Sequence, residues 1–354
     1  MYKKMLVALS CIMVIIFCLA ILVNLCHKNK NEEQWTLNSE YGICDDYAYT
    51  KKKINNHEQV YTEVIIAIID TGVDLSHEDL QGVSWKNTME IENGLDDDGN
   101  GYIDDIYGWN FCQNNSIVNA YIDIPEENAH GTACAGIIAA NDNGIGICGV
   151  SALTGNVKLM PLKVLDGIGK NTGSIQSLVD AIHYAESNGA KICNLSLNTT
   201  TYSEDLQQAI KNSKMLFVVS AGNGMKHGID IDKQLYYPSA FDLDNVITVA
   251  AIDQSGIMVD NSNYGVYSVD LVAPGKDILT TVPNNNYKKV SGTSFAAPHV
   301  TAAAAVLYSF FPNASPKEIK QKLLNACKTN LNLCMYINQG RILSLDNIVQ
   351  LYCK

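Results

Sequence analysis

The chain has 354 residues, 47% of them hydrophobic, which is ample material for one large α/β core, and no linker-like stretch divides it. Its formal net charge is -12 with Lys and Arg scattered, which argues against nucleic acid as a partner. No internal repeat or low-complexity tract is present, so one monomeric globular body is expected.

Taken in chain order, Lys3-Lys4 precede Met5 to Cys26, 22 residues without a charge and long enough to span a bilayer. Residues 1–27 therefore read as an uncleaved, single-pass signal anchor in the cell membrane, favoured over the cleaved peptide of a secreted protein, with the rest of the chain outside the cytoplasm. Residues 28–62 are a short amino-terminal segment of the main domain, which is expected over 63–345 with a tail over 346–354. Val64 to Asp70 is a continuous aliphatic run ending in an acid, the pattern of a parallel strand buried on both faces. Asp96 to Asp105 is a dense set of carboxylates on a Gly-rich loop. His130 to Ala140 then opens on a histidine and continues with small and apolar residues, as a buried helix would.

Further strands are expected at 157–165, 191–194, 215–220 and 246–250, with helices at 174–187, 297–310 and 316–327. Strands alternating with helices give a three-layer αβα sandwich around a mostly parallel sheet. Of eleven cysteines, three lie in the apolar amino-terminal segment. Cys134 and Cys193 are expected as free core thiols, and Cys327, Cys334 and Cys353 are the better candidates for disulfides.

Gly292-Thr-Ser-Phe-Ala-Ala-Pro298 places Ser294 where a tight turn enters an apolar helix. A serine hydroxyl is a poor nucleophile without a base for its proton and donors for the charge that builds on the substrate. Asp70 at a strand end, His130 at a helix mouth and Asn223 in a loop after a strand would supply these. Singly, each has an ordinary reading: a turn aspartate, a structural histidine, an asparagine chosen for left-handed backbone angles. Together, in the order Asp, His, Ser, they match one of the three known chain orders of a catalytic triad.

Asp70-Thr-Gly, His130-Gly-Thr, Ser220-Ala-Gly-Asn223 and Gly292-Thr-Ser-Phe-Ala-Ala-Pro298 resemble the four signature blocks of the subtilase family of serine proteases. The resemblance runs from about Gln34-Trp35 to about Gly340-Arg341 and implies a subtilisin-like fold. It implies that Ser294 attacks a peptide carbonyl, His130 carries the proton, Asp70 orients His130, and Asn223 holds the oxyanion. The reaction would be endopeptidase cleavage of protein or peptide substrates through an acyl-enzyme, with no cofactor for catalysis. Ser196-Leu197-Asn198 resembles the edge that pairs with an extended substrate, with Asn198 where Gly is usual and able to crowd the substrate backbone. Ala221, Gly222 and Tyr236 resemble the walls and floor of the main specificity pocket, and Tyr236 in place of a smaller residue favours small side chains before the scissile bond. A structural calcium is implied at Asp79 and Asn143 by side chain and at Ile145 and Ile147 by carbonyl. A second is suggested at Asp96, Asp98, Asn100 and Asp104 by the spacing of an EF-hand loop start, although Tyr107 stands where the closing Glu would be.

One departure is that the interval between Cys26 and the first core strand is too short for a folding-assisting prodomain. Two other readings remain: a protease dedicated to one precursor or leader peptide, and a peptide-binding pseudoprotease.

Overall fold

The computed structural model describes residues 34–56, 61–119, 129–165 and 173–353. The anchor expected over residues 1–27 lies outside these, and among the described residues no helix is long and apolar enough to cross a membrane.

Eleven strands occur among the described residues: β1 (Val64–Asp70), β2 (Trp109–Asn110), β3 (Val157–Lys163), β4 (Ile192–Leu195), β5 (Leu216–Ser220), β6 (Val246–Ile252), β7 (Leu271–Pro274), β8 (Ile278–Val282), β9 (Asn286–Val290), β10 (Lys328–Thr329) and β11 (Arg341–Ile342). Nine form one sheet in the order β10-β11-β7-β6-β5-β4-β1-β3-β2, and β8 and β9 pair apart as an antiparallel hairpin. Within the large sheet only β10 and β11 run antiparallel.

The aliphatic run of β1 is explained by burial on both faces. Ile66 and Ile68 join Leu159, Ile192, Val218 and Val249 in one core, while Ala67 and Ile69 join Met160, Leu162, Cys193 and Phe217 in the other. The helices are α1 (Tyr47–Asn55), α2 (His130–Ala139), α3 (Ile175–Ser187), α4 (Glu204–Asn212), α5 (Thr293–Phe310), α6 (Pro316–Asn325) and α7 (Leu345–Tyr352). Apolar residues of α3 and α4 fill the second core, and those of the other five helices belong to the first. The result is the expected three-layer sandwich.

The strand order reverses around β1, because the chain passes from β3 to β4 across it. Such a reversal leaves a crevice at the carboxyl ends of the strands, where open α/β sheets bind ligands. Asp70 ends β1, Ser196 follows β4, and Asn223 follows β5 by three residues.

Three findings differ from the sequence reading. The segment set apart as a tail is, up to Tyr352, the helix α7, whose Leu345, Ile348 and Val349 are core residues. No disulfide joins the described cysteines: Cys327 and Cys334 each turn the thiol onto the carbonyl one helical turn back, Leu323 and Asn330, and Cys353 is likewise free. Helix α5 begins at Thr293 rather than 297, so that Ser294 lies in its first turn.

Candidate active site

Asp70 is almost wholly buried, at 1% exposure. Its Oδ1 accepts the Thr71 N–H at 2.7 Å, and both oxygens reach Nδ1 of His130, at 2.9 and 2.8 Å. His130 is the first residue of α2 and keeps 29% of its side chain exposed, so one ring nitrogen faces Asp70 and the ring edge reaches the crevice. This close approach of helix and strand end depends on Gly131: a Cβ there would stand 2.3 Å from the Gly72 carbonyl. Burial works against the imidazolium, but the charge and hydrogen bond of Asp70 outweigh it and raise the pKa of His130 above the ordinary histidine value. Phe295 packs beside the ring, with centroids 5.2 Å apart.

Ser294 follows Gly292, whose φ of +148° and Cβ-free approach to Asn223 let the chain turn sharply into α5. Pro298, four residues on, lies inside the helix and has no N–H to give the Ser294 carbonyl. That carbonyl instead accepts the Ser196 hydroxyl at 2.9 Å and the Cys134 thiol at 3.5 Å. The proline of the motif thus frees a carbonyl that locks the start of α5 to the loop after β4. The Ser294 hydroxyl rests on the Ser196 carbonyl at 3.3 Å, and a turn about χ1 between staggered wells redirects it. Cys134 is a buried thiol beneath this junction, with burial first and the Asp70 charge second holding its pKa well above the usual thiol range.

Asn223 is exposed at the crevice. Its Oδ1 is occupied by the Thr293 N–H at 3.0 Å and the Thr293 hydroxyl at 3.3 Å, an arrangement that leaves its amide N–H groups as donors beside Ser294. Asp70, His130, Asn223 and Ser294 are therefore brought to one edge of the sheet.

Of the residues expected to contact substrate, Ser196 is the one that braces Ser294, and Leu197 packs on the second core. Asn198 does something other than crowd a substrate backbone. Its amide donates to the Ser220 carbonyl at 2.8 Å and hydroxyl at 3.0 Å and accepts from the Ser239 hydroxyl, so it spans from the edge after β4 to the end of β5. Gly222 lies against it, since a Cβ there would stand 3.5 Å from the Asn198 amide nitrogen. Ala221 is buried in a cluster with Ile231 and Ile252, onto which Tyr236 packs half-buried.

The residues proposed for a first cation converge on Asp79, which is fully buried. Its Oδ2 accepts the Ile147 N–H at 2.8 Å and the Tyr287 hydroxyl at 3.0 Å, while Oδ1 has no hydrogen-bond partner. Burial raises the Asp79 pKa, opposed by those two bonds. The loop Asn143 to Ile147 wraps it closely, for a Cβ on Gly146 would lie 2.2 Å from Oδ2. A buried carboxylate oxygen without a donor, beside a loop rich in carbonyls, fits a hard cation such as calcium.

The second expected set is not brought together. Asp96 spends both oxygens on the N–H groups of Gly99, Asn100 and Gly101, and Asp104 spends its own on Asn93 and Gly94. Asp98 instead converges with Glu90 and Asp105, their oxygens within 4.8 Å of one another, and Asn100 donates to Asp98 and Asp105. The spacing in sequence missed Glu90 and Asp105 because backbone N–H groups, which spacing does not reveal, claim two of the expected ligands.

The model of the Subtilase family matches residues 62–340. Subtilisin-like protease 1 of Plasmodium vivax is 34% identical over 306 residues, covering 81% of this chain and 47% of that protein. Subtilisin DY of Bacillus licheniformis is 32% identical over 282 residues, covering 79% of this chain and 88% of that protein. The chain spans about half the length of the first curated relatives it matches. A crystal structure of a cold adapted subtilisin-like serine proteinase superposes with a TM-score of 0.62 at 22% identity, over 82% of this chain and 97% of that one, which bears on the fold alone.

Proposed function

Because this chain belongs to the subtilase family, we propose that it is a serine endopeptidase working through Asp70, His130 and Ser294. The observation that carries the reading is the buried Asp70 carboxylate on Nδ1 of His130, at the same sheet edge as a serine in the first turn of a helix. Asp70 fixes the proton on Nδ1 and leaves Nε2 free as a base. Ser294 loses its proton to Nε2 as its oxygen attacks the carbonyl carbon of the scissile bond. The negative charge on the carbonyl oxygen meets the Asn223 amide and the Ser294 N–H, the kind of fixed donors that matter most where charge develops. His130 then gives the proton to the leaving amine, and water repeats the steps in reverse on the acyl-enzyme. These steps need no cofactor. Calcium, held by Asp79 with Asn143 and the carbonyls of Ile145 and Ile147, would neutralise a buried carboxylate and stiffen the fold.

On the acyl side, the Asn198 amide and Tyr236 narrow the space between the two edges, which supports small residues before the scissile bond. A cleavage profile dominated there by Phe or Leu refutes that preference. The chain is further placed in the cell membrane through Met5 to Cys26 with the catalytic domain outside, a reading that rests on those 22 uncharged residues. Protection of the catalytic domain from protease added to intact cells refutes the placement.

The test of the activity is reaction of the full-length chain with a fluorophosphonate probe, beside Ser294→Ala and His130→Ala. Labelling at Ser294 that both substitutions abolish is expected. Well-folded protein that is not labelled overturns the hydrolase reading in favour of a peptide-binding module.

A further inference from the structure

On the side of His130 away from Asn198 lies a cavity of about 370 Å³, within the roughly 300–1,000 Å³ range of small-ligand pockets. His130 and Phe295 form its inner wall, Ala133 of α2 one side, and Val282, Tyr287 and Val290 of the hairpin the other. The lining is mainly apolar. Ala133 leaves the cavity open because it ends at Cβ.

The cavity belongs to the half of the crevice where the leaving fragment must run. The acyl half is marked by the Ser196 to Asn198 edge and by Gly222 and Asn223. The leaving amine takes its proton from His130, so the chain it heads passes along the imidazole away from that edge. The acyl half is obstructed by the Asn198 amide, whereas this cavity is open and touches the imidazole itself.

Its walls are fixed in advance of any ligand. The Tyr287 hydroxyl is held by Glu78 and Asp79, each at 3.0 Å, and its ring meets His77 edge-on with centroids 5.2 Å apart. His77 Nδ1 accepts the Asp79 N–H, so its Nε2 carries the proton and donates to the Asn286 carbonyl at 3.1 Å. Asp74 takes the Asn284 N–H at 3.0 Å, and Asn285 takes the Glu78 N–H at 2.7 Å. On the opposite wall, Thr280 and Thr281 fasten the hairpin to the carbonyls of Ala133 and Thr132 at 2.7 and 2.8 Å. A pocket held this way discriminates without the cost of ordering its walls.

We propose that this cavity is a specificity site for the leaving fragment, taking a medium to large apolar side chain, Leu, Met or Phe, from one of the two residues that follow the scissile bond. The proposal rests on the endopeptidase reading. Selection by this enzyme then falls mainly on the fragment that departs.

The test is kcat/KM of the full-length chain on internally quenched peptides identical before the scissile bond, with Gly, Leu, Phe, Asp or Lys at each of the next two positions. Fluorophosphonate titration fixes the concentration of competent enzyme. Leu or Phe is expected to exceed Gly and Asp at one of the two positions by on the order of 10- to 100-fold, since each buried methylene contributes about 10-fold or more. Ala133→Leu and Val282→Phe narrow the cavity from opposite walls, and each is expected to shrink the Phe-to-Gly ratio. Protein that labels at Ser294 but varies less than about twofold at both positions, or prefers Asp or Lys there, overturns the cavity assignment and leaves the hydrolase reading standing. Protein that does not label overturns the hydrolase reading and this assignment with it.

Discussion

Replacing Asp70 by Asn tests the site at its most constrained point. The Thr71 N–H on Oδ1 at 2.7 Å fixes which atom of the new amide would remain the acceptor, so the amide NH₂ turns toward Nδ1 of His130. The imidazole must then accept at Nδ1 and carry its proton on Nε2, where it cannot take one from Ser294. In the same triad on a different fold this exchange costs about 10⁴ in kcat, or roughly 5 kcal/mol at 1.36 kcal/mol per tenfold. A loss of that size is expected here, with folding retained because the exchange is nearly isosteric. Two pH effects accompany it. In the wild type, Asp70 outweighs burial and raises the His130 pKa, so the acid limb of kcat/KM lies above the ordinary histidine value of about 6.5. In the variant only burial remains, and the limb moves to lower pH. A raised folded pKa also means that the stabilisation from the pair is fully present below about pH 6.5 and lost as pH rises through the folded value. The melting-temperature gap between wild type and variant is therefore widest near pH 5 and narrowest near pH 9. A variant within tenfold of wild-type kcat, or an acid limb displaced upward, refutes the argument.

Asn223→Ala lowers kcat by about 10²–10³ with little change in KM, the loss known for such a side-chain donor in this family, and a change confined to KM counts against the oxyanion assignment. Millimolar calcium raises the wild-type melting temperature relative to chelator, and Asp79→Asn removes that gain; equal melting temperatures for the wild type would dismiss the cation site. His299, 2% exposed, has its pKa lowered to about 4 by burial despite its bond to the Phe295 carbonyl. A lowered folded pKa contributes stability above about pH 6.5 that is lost as pH falls through about 4, at most (6.5 − 4) × 1.36 or about 3 kcal/mol, so urea midpoints of His299→Gln fall less over that range than those of the wild type. Asn198→Gly removes the amide bridging Ser220 and Ser239 and raises kcat/KM for Phe relative to Ala before the scissile bond, and an unchanged ratio shows that the amide does not set the pocket's depth.

The residues legible in the sequence are those whose surroundings are buried and local. Val64 to Asp70 and Met215 to Ser220 betray themselves because strands packed on both faces carry no polar residue until the chain emerges, and the first polar groups after them are Asp70 and Asn223. The β8–β9 hairpin was not legible, because Asn286 to Val290 is mostly half-exposed or exposed and carries neither a continuous nor a clean alternating pattern. Its one local signal is Asn284-Asn285, both at positive φ, the residues that tight hairpin turns prefer. Cysteine placement also escaped prediction: Cys327 and Cys334 lie close in sequence, yet each thiol is already turned onto its own helical carbonyl.

The hairpin joins two features that the sequence presents as unrelated. Asp79 uses a single oxygen for both the Ile147 N–H of the cation loop and the Tyr287 hydroxyl of the leaving-group wall, while its other oxygen is left without a donor. Removing charge from that carboxylate weakens both bonds together, since hydrogen bonds to an ionised acceptor are about twice as strong as neutral ones. The loop beside α2 and the wall facing His130 are thus two ends of one hydrogen-bonded unit. The rigid half of the site, built on the ends of β1, β4 and β5, fixes the chemistry. The half carried by the hairpin, fastened at Asp74, His77 and Asp79, is where binding preference can vary without moving Asp70, His130 or Ser294.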